Sequence, residues 1–288
     1  MTTTEPGLVY DMTDDEYHGD PVPGGSLSST FARLLTRHVP AKALAQRKLH
    51  KTTKAMNTGK AAHAHALGAG PNLIVWEFDG RTKAGKAERA EYAEALATES
   101  AVAVTATERD QIVGMAHALR MHREVAAILD NYDSEVSAFW QEESIWLRSR
   151  FDLLADRPFD YKTCELASQQ GFRKAMATWG YHQQAEFYQR GLTALGHPAA
   201  KHRMRFICQE TTPPYLVQIH VPDDEAMDAA KTLNDRAIAI YTHGMRTGEW
   251  PGYDLVAEPT SLPTYYFYEN EEALGIDPDA PLEVELKL

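Results

Sequence analysis

Apolar residues recur at helical spacing in residues 26–38, where Leu27, Phe31, Leu34 and Leu35 share a face and neighbouring serines suit an N-cap. The same period predicts helices over 41–50, over the alanine-rich stretch from 58 to the stop at Gly68 and Gly70, over 84–98 and over 107–131. Residues 72–78 are short, apolar and β-branched, which predicts a strand. Beyond residue 131 the period falls to two. Residues 135–141, 144–155 and 159–163 read as successive strands, followed by helices over 168–178 and 181–195. Two further strands, 203–210 and 215–221, and a long helix over 222–246 lead into a Pro- and acid-rich end. No internal repeat or long linker interrupts this order, so the pattern predicts one domain of the α/β (α+β) class with a helical N-terminal region. The expected division is an extension over 1–25, a domain over 26–256 and a tail over 257–288.

Composition narrows the chemistry. With 288 residues, 43% of them apolar, the chain has ample material for a core. No apolar run approaches the roughly 20 residues of a membrane helix, and the first residues lack the basic-then-apolar plan of a signal peptide. The expectation is a cytoplasmic protein with no membrane partner. Two cysteines, Cys164 and Cys208, exclude a disulfide framework and a four-cysteine zinc or iron–sulfur centre within one chain. A metal would rest on His and carboxylates.

The net charge of −12 argues against nucleic acid only as a bulk number. Residues 257–288 hold eight acids and one base, so more than half the deficit is a tail. Residues 33–60 hold eight bases (Arg33, Arg37, Lys42, Arg47, Lys48, Lys51, Lys54, Lys60) and no acid. Further basic clusters stand at Arg81, Lys83, Lys86 and Arg89, and at Lys201, Arg203 and Arg205. Such clusters are solvated helix faces or phosphate contacts on an otherwise repulsive surface.

The strands around Arg150–Asp152 and Asp160–Lys162 flank Asp156-Arg157-Pro158, a turn-prone triplet. A hairpin centred near Asp156 pairs Asp152 with Asp160 and Arg150 with Lys162, all four on one face, with Phe151, Leu153, Phe159 and Tyr161 on the other. Two arrangements fit: an exposed cross-strand quartet of ion pairs, or two carboxylates held together by a hard divalent cation with a lysine beside them. The second suits phosphodiester hydrolysis.

A carboxylate, a short spacer and then Asp-x-Lys resembles the PD-(D/E)XK nuclease superfamily, and more narrowly its RecE-like (exonuclease VIII-type) phage recombination exonucleases. Gly59-Lys60-Ala61-Ala62-His63 is similar to that group's Gly-x-x-x-His element, and Gln184-Ala185-Glu186-Phe187-Tyr188 to its Gln-x-x-x-Tyr helix. Glu135 precedes the core in a Glu-x-Ser-x-Phe-Trp setting, and softer echoes extend the match over about residues 26–253. Phe151 stands where the motif's name has proline.

The resemblance implies a restriction-endonuclease-like core, a central mixed β-sheet flanked by helices. It implies divalent metal, Mg²⁺ with Mn²⁺ as substitute, held by His63, Asp152, Asp160 and the main-chain carbonyl of Tyr161. Lys162 would position the attacking water, Gln184 and Tyr188 would brace the site, and Glu135 would be an auxiliary carboxylate. The implied activity is 5′→3′ digestion of linear double-stranded DNA from its ends, leaving 3′ overhangs for a single-strand annealing protein. The implied assembly is a ring-shaped homo-oligomer of phage or prophage origin. Other members of the superfamily act as endonucleases or on single strands, and a silent DNA-binding scaffold is the reading from another class. Charge adds Ser28, Arg33, Lys83 and Lys86 as candidate DNA contacts.

Overall fold

The computed structural model describes residues 2–47, 72–75, 81–97, 101–253, 256–257 and 259–275. Its first half contains β1 (Gly7–Val9), α1 (Asp14–His18), β2 (Ser26–Ser28), α2 (Ser29–Arg37), α3 (Pro40–Arg47), β3 (Asn72–Val75), α4 (Lys83–Ala97), β4 (Ala101–Val104), α5 (Ala106–Met121) and α6 (Arg123–Leu129). Then come β5 (Asp133–Glu142), β6 (Ile145–Leu154), β7 (Pro158–Cys164), α7 (Gln169–Trp179), α8 (Tyr181–Ala194), β8 (Arg205–Glu210), β9 (Val217–His220) and α9 (Asp224–Thr247). The helix expected from residue 58, and the ends of those expected at 41–50 and 84–98, lie outside the described residues. Met1–Gly252 forms one compact unit. Tyr253–Leu288 forms a second, whose described part holds α10 (Thr264–Glu269) and α11 (Glu271–Leu274). No described helix is long and apolar enough to cross a membrane.

Among the described residues seven strands make one sheet in the order β1-β5-β6-β7-β8-β9, with β2 beside β6. The sheet is mixed: β2–β6 and β7–β8 run parallel, the other pairs antiparallel. Apolar residues of α2, α8 and α9 (Phe31, Leu35, Phe187, Leu192, Tyr241) cover one face against Trp140, Leu147 and Phe151. On the other face Leu119, Val125 and Leu129 of α5 and α6 cover Leu153, Phe159, Tyr161 and Ile207. The predicted class, helices on both sides of a mixed sheet, is what forms. β3 and β4 pair separately.

Two helices expected from periodicity differ in detail. Residues 26–28 are not helical: Ser26, Leu27 and Ser28 pair with Trp146, Leu147 and Arg148, and Ser28 then caps α2 by accepting from the Phe31 N–H at 3.2 Å. A sheet partner more than a hundred residues away outcompetes local propensity. The helix expected over 107–131 breaks at His122, which ends α5 and whose Nδ1 accepts from the Val125 N–H to start α6. The stretch before Ser26 adds β1 to the sheet edge and sets Met12, Tyr17 and Val22 against Phe139. Asp20 there accepts from Ser26 N–H and Ser26 Oγ–H and pairs with Arg47 at 3.0 Å and with buried Arg148 at 2.5 Å, fixing the turn that launches β2 and α2.

Helix α8 crosses the sheet closely because Gly191 meets the six-membered ring of Trp140. A Cβ at Gly191 would lie 2.7 Å from Trp140 Cζ3, and that ring is buried with no room to retreat. Gly191→Ala is therefore expected to destabilise the fold by about 1–3 kcal/mol through overpacking. Denaturant unfolding reads this directly, and an unchanged midpoint would show that α8 shifts without cost.

Candidate active site

Strand β6 is where the site is made. Its edge away from β5 carries β2 over Trp146–Arg148 and β7 over Leu153–Leu154. The pairs Leu153↔Phe159 and Leu154↔Pro158 have the register expected for the hairpin. Beyond them β6 and β7 part, and the Asp152 carboxylate enters the fork: its Oδ2 accepts from the Tyr161 main-chain N–H at 2.9 Å. Asp152 thus replaces a ladder bond rather than standing on a regular face opposite Asp160.

This fork corrects two details of the expected hairpin. Phe151 packs on Tyr188 at 5.0 Å between ring centroids, on the α8 side, whereas Leu153, Phe159 and Tyr161 belong to the core under α5 and α6. Arg150 does not approach Lys162. Its guanidinium donates to Glu135 at 2.7 Å, Ser137 at 2.8 Å and the Met12 carbonyl at 2.9 Å. The physical cause is a change of phase in β6 at Asp152, opposite Glu135, whose φ of +54° interrupts the β5 ladder between Ser134 and Val136. Glu135 is accordingly placed with Arg150.

Asp160 is the centre. It is 1% exposed on β7, its Oδ1 accepts from Gln184 Nε2 at 2.6 Å, and Lys162 Nζ lies 2.5 Å from its Oδ2. Arg33 of α2 donates in turn to Gln184 Oε1 at 3.2 Å and to Thr30 Oγ1 at 3.3 Å. Gln184 and Tyr188, one turn apart on α8, do separate work: the first holds Asp160, and the second packs on the residue before Asp152. The Tyr181 ring, three residues before Gln184 on the same stripe, lies 5.2 Å from Lys162 Nζ. Tyr181 was legible in that spacing and did not stand out as chemistry.

Burial by itself pulls the Lys162 ammonium down, but the Asp160 and Asp152 carboxylates outweigh it and the net shift is upward, so the lysine is charged. Burial raises the Tyr188 phenol well above its ordinary value, and the two carboxylates add to this, so it stays protonated. Burial lowers Arg33, with Tyr188 and Asp160 acting against that.

The other expected contacts separate. Ser28 is the cap of α2. Lys83 and Lys86 are exposed on α4, and no described hydrogen bond joins them to the carboxylates. In the third basic cluster Arg203 pairs with Asp224, and Arg205 with Glu124 at 2.6 Å, so those charges are partly spent within the fold. His63 lies outside the described residues. Among the described residues no three His, Cys, Asp or Glu side chains converge as a metal-holding group. The donors that are described, two carboxylates and the main chain of Tyr161 where two strands part, have the hard oxygen character that Mg²⁺ or Mn²⁺ takes.

The model of a family described as "PDDEXK-like domain of unknown function (DUF3799)" matches residues 28–258. Among solved structures, a "Putative exonuclease" from Eubacterium rectale superposes with a TM-score of 0.59 over 87% of this chain and 96% of that one, at 11% identity. That likeness is one of fold, the restriction-endonuclease-like mixed sheet flanked by helices. No curated protein matches. The family match spans strands β5 to β9 of the sheet, with the fork at Asp152 and the Asp160–Lys162 strand, and the chain belongs to the PDDEXK-like family.

Proposed function

We propose that this protein is a metal-dependent nuclease, specifically an exodeoxyribonuclease that digests linear double-stranded DNA 5′→3′ and leaves 3′ overhangs for a strand-annealing partner in recombination. The observation that carries the nuclease reading is the buried Asp160 carboxylate between Gln184 and Lys162, beside Asp152 in the strand fork. Membership in the PDDEXK-like family and the fold shared with the Eubacterium rectale protein support it. The finer claims of polarity, recombination role and a DNA-threading ring rest on the RecE-like resemblance.

Asp152, Asp160, the Tyr161 carbonyl and His63 would hold the divalent ion. Mg²⁺, with Mn²⁺ as substitute, would supply positive charge to offset the charge that develops on the phosphoryl oxygens. Lys162, kept charged and aimed by Asp160 and the Tyr181 ring, orients a water for in-line attack on phosphorus. Gln184 and Arg33 keep Asp160 fixed while charge moves around it.

Duplex DNA labelled at one 5′ end or the other and a closed circle of the same sequence test the finer reading. Loss of 5′ label without attack on the circle is expected; cleavage of the circle makes the protein an endonuclease. If exposed Lys83 and Lys86 touch phosphates, replacing both with alanine lowers the slope of log affinity against log salt by about 1.8. An unchanged slope removes them from the interface.

A further inference from the structure

On the face of β7 away from Lys162, the Tyr161 side chain enters the core under α5 and its phenol donates to Gln209 Oε1 at 2.5 Å. Gln209, on β8, is 0% exposed. Its amide nitrogen donates to the Met115 carbonyl of α5 at 2.9 Å and to the Tyr215 carbonyl at 3.3 Å. One side-chain amide thus joins β7, α5 and the turn before β9, with its oxygen and nitrogen both bonded. The Tyr215 ring is seated on α5 at Gly114, where a Cβ would lie 2.5 Å from it. Its carbonyl takes the same Gln209 amide that reaches Met115 of that helix.

An apolar pair of similar size would fill this space at no polar cost, and it would also slide. A fully bonded amide admits one arrangement. Tyr161 is gripped at two points, its main-chain N–H by Asp152 on one side of the strand and its phenol by Gln209 on the other. Both grips act on the Tyr161 Cα, and the peptide that follows it carries the Tyr161 carbonyl and leads into Lys162. We infer that Gln209 is a positioning residue: through the Tyr161 phenol it sets the main chain that presents the Asp160, Tyr161 and Lys162 groups to the metal and the phosphate. This rests on the nuclease reading above. The contact is indirect, so its signature is lost turnover and metal affinity with substrate binding retained.

The test compares wild type, Tyr161→Phe, Gln209→Met and the double variant in the full chain. It reads kcat and KM on linear duplex, Mn²⁺ affinity by calorimetry, and melting temperature. Each single change is expected to lower kcat about tenfold and weaken Mn²⁺ binding by about the same factor, with KM within about twofold. The double variant should match Gln209→Met, because the phenol–amide bond that Tyr161→Phe removes is already lost in it. Tyr161→Phe deletes only an oxygen and keeps the packing, so it remains informative if Gln209→Met folds poorly. Unchanged kcat and Mn²⁺ affinity alongside a lower melting temperature would make Gln209 merely structural and overturn the inference. So would effects that multiply in the double variant. If wild type binds Mn²⁺ but cuts no DNA, the nuclease reading fails, and the Mn²⁺ comparison alone then decides for or against Gln209.

Discussion

Asp160→Ala is expected to lower DNA hydrolysis by about 10³-fold or more while the chain remains folded. The size of the effect follows from how many groups refer to this carboxylate. One oxygen takes the Gln184 amide and the other the Lys162 ammonium, and Arg33 holds Gln184 from behind. Without Asp160 the proposed metal site loses a hard oxygen donor, and burial then pulls Lys162 down against fewer negative charges. Breaking a buried pair costs about 3–5 kcal/mol when the remaining charge has no other partner. Asp152 also acts on Lys162, so the loss of stability should be smaller and unfolding should stay cooperative. Circular dichroism melts beside the nuclease assay check both halves; a folded variant with wild-type turnover would remove Asp160 from the chemistry.

Lys162→Ala should lower kcat by about 10²–10⁴-fold, the range for a positioned proton-handling group, with DNA affinity within about threefold of wild type. The ammonium is already engaged by Asp160 at 2.5 Å and flanked by the Tyr181 ring at 5.2 Å, which suits it to orient one water and leaves it little reach as a general phosphate anchor. Removing it also leaves Asp152 and Asp160 with one fewer cation between them, so Mn²⁺ affinity should be retained or tighter. Equal losses in kcat and DNA affinity would make Lys162 a phosphate contact instead.

Much of this site was legible because it is written in short-range pattern. The turn-prone triplet after Ala155 and the alternation on both sides of it specify the register that forms at Leu153↔Phe159, and the four-residue spacing of Gln184 and Tyr188 puts both on the inner stripe of α8. What was not legible depends on partners far away in the chain. Ser26–Ser28 become a strand only because β6 offers an edge at Trp146–Arg148. Alternation taken as perfect put Arg150 beside Lys162. The phase change at Asp152, opposite Glu135 with its positive φ, sends Arg150 to Glu135 and Met12 instead. Charge counting grouped Arg33 with the DNA contacts, whereas its guanidinium is half-buried and hydrogen-bonded to Gln184. A count of basic residues does not distinguish a cation offered to solvent from one spent inside the fold, and Arg203 and Arg205 make the same point.

Asp152, Asp160 and Lys162 are proposed to form one metal-dependent hydrolytic site. Its most direct test is a time course on linear duplex DNA with Mg²⁺ titrated from zero, run with wild type and with Asp160→Ala purified in parallel. Wild type should release 5′-phosphorylated products at a rate that rises with Mg²⁺ and stops with chelator, and the variant should release none. Equal cleavage by the variant, or none by well-folded wild type at any Mg²⁺ or Mn²⁺ concentration, would contradict it.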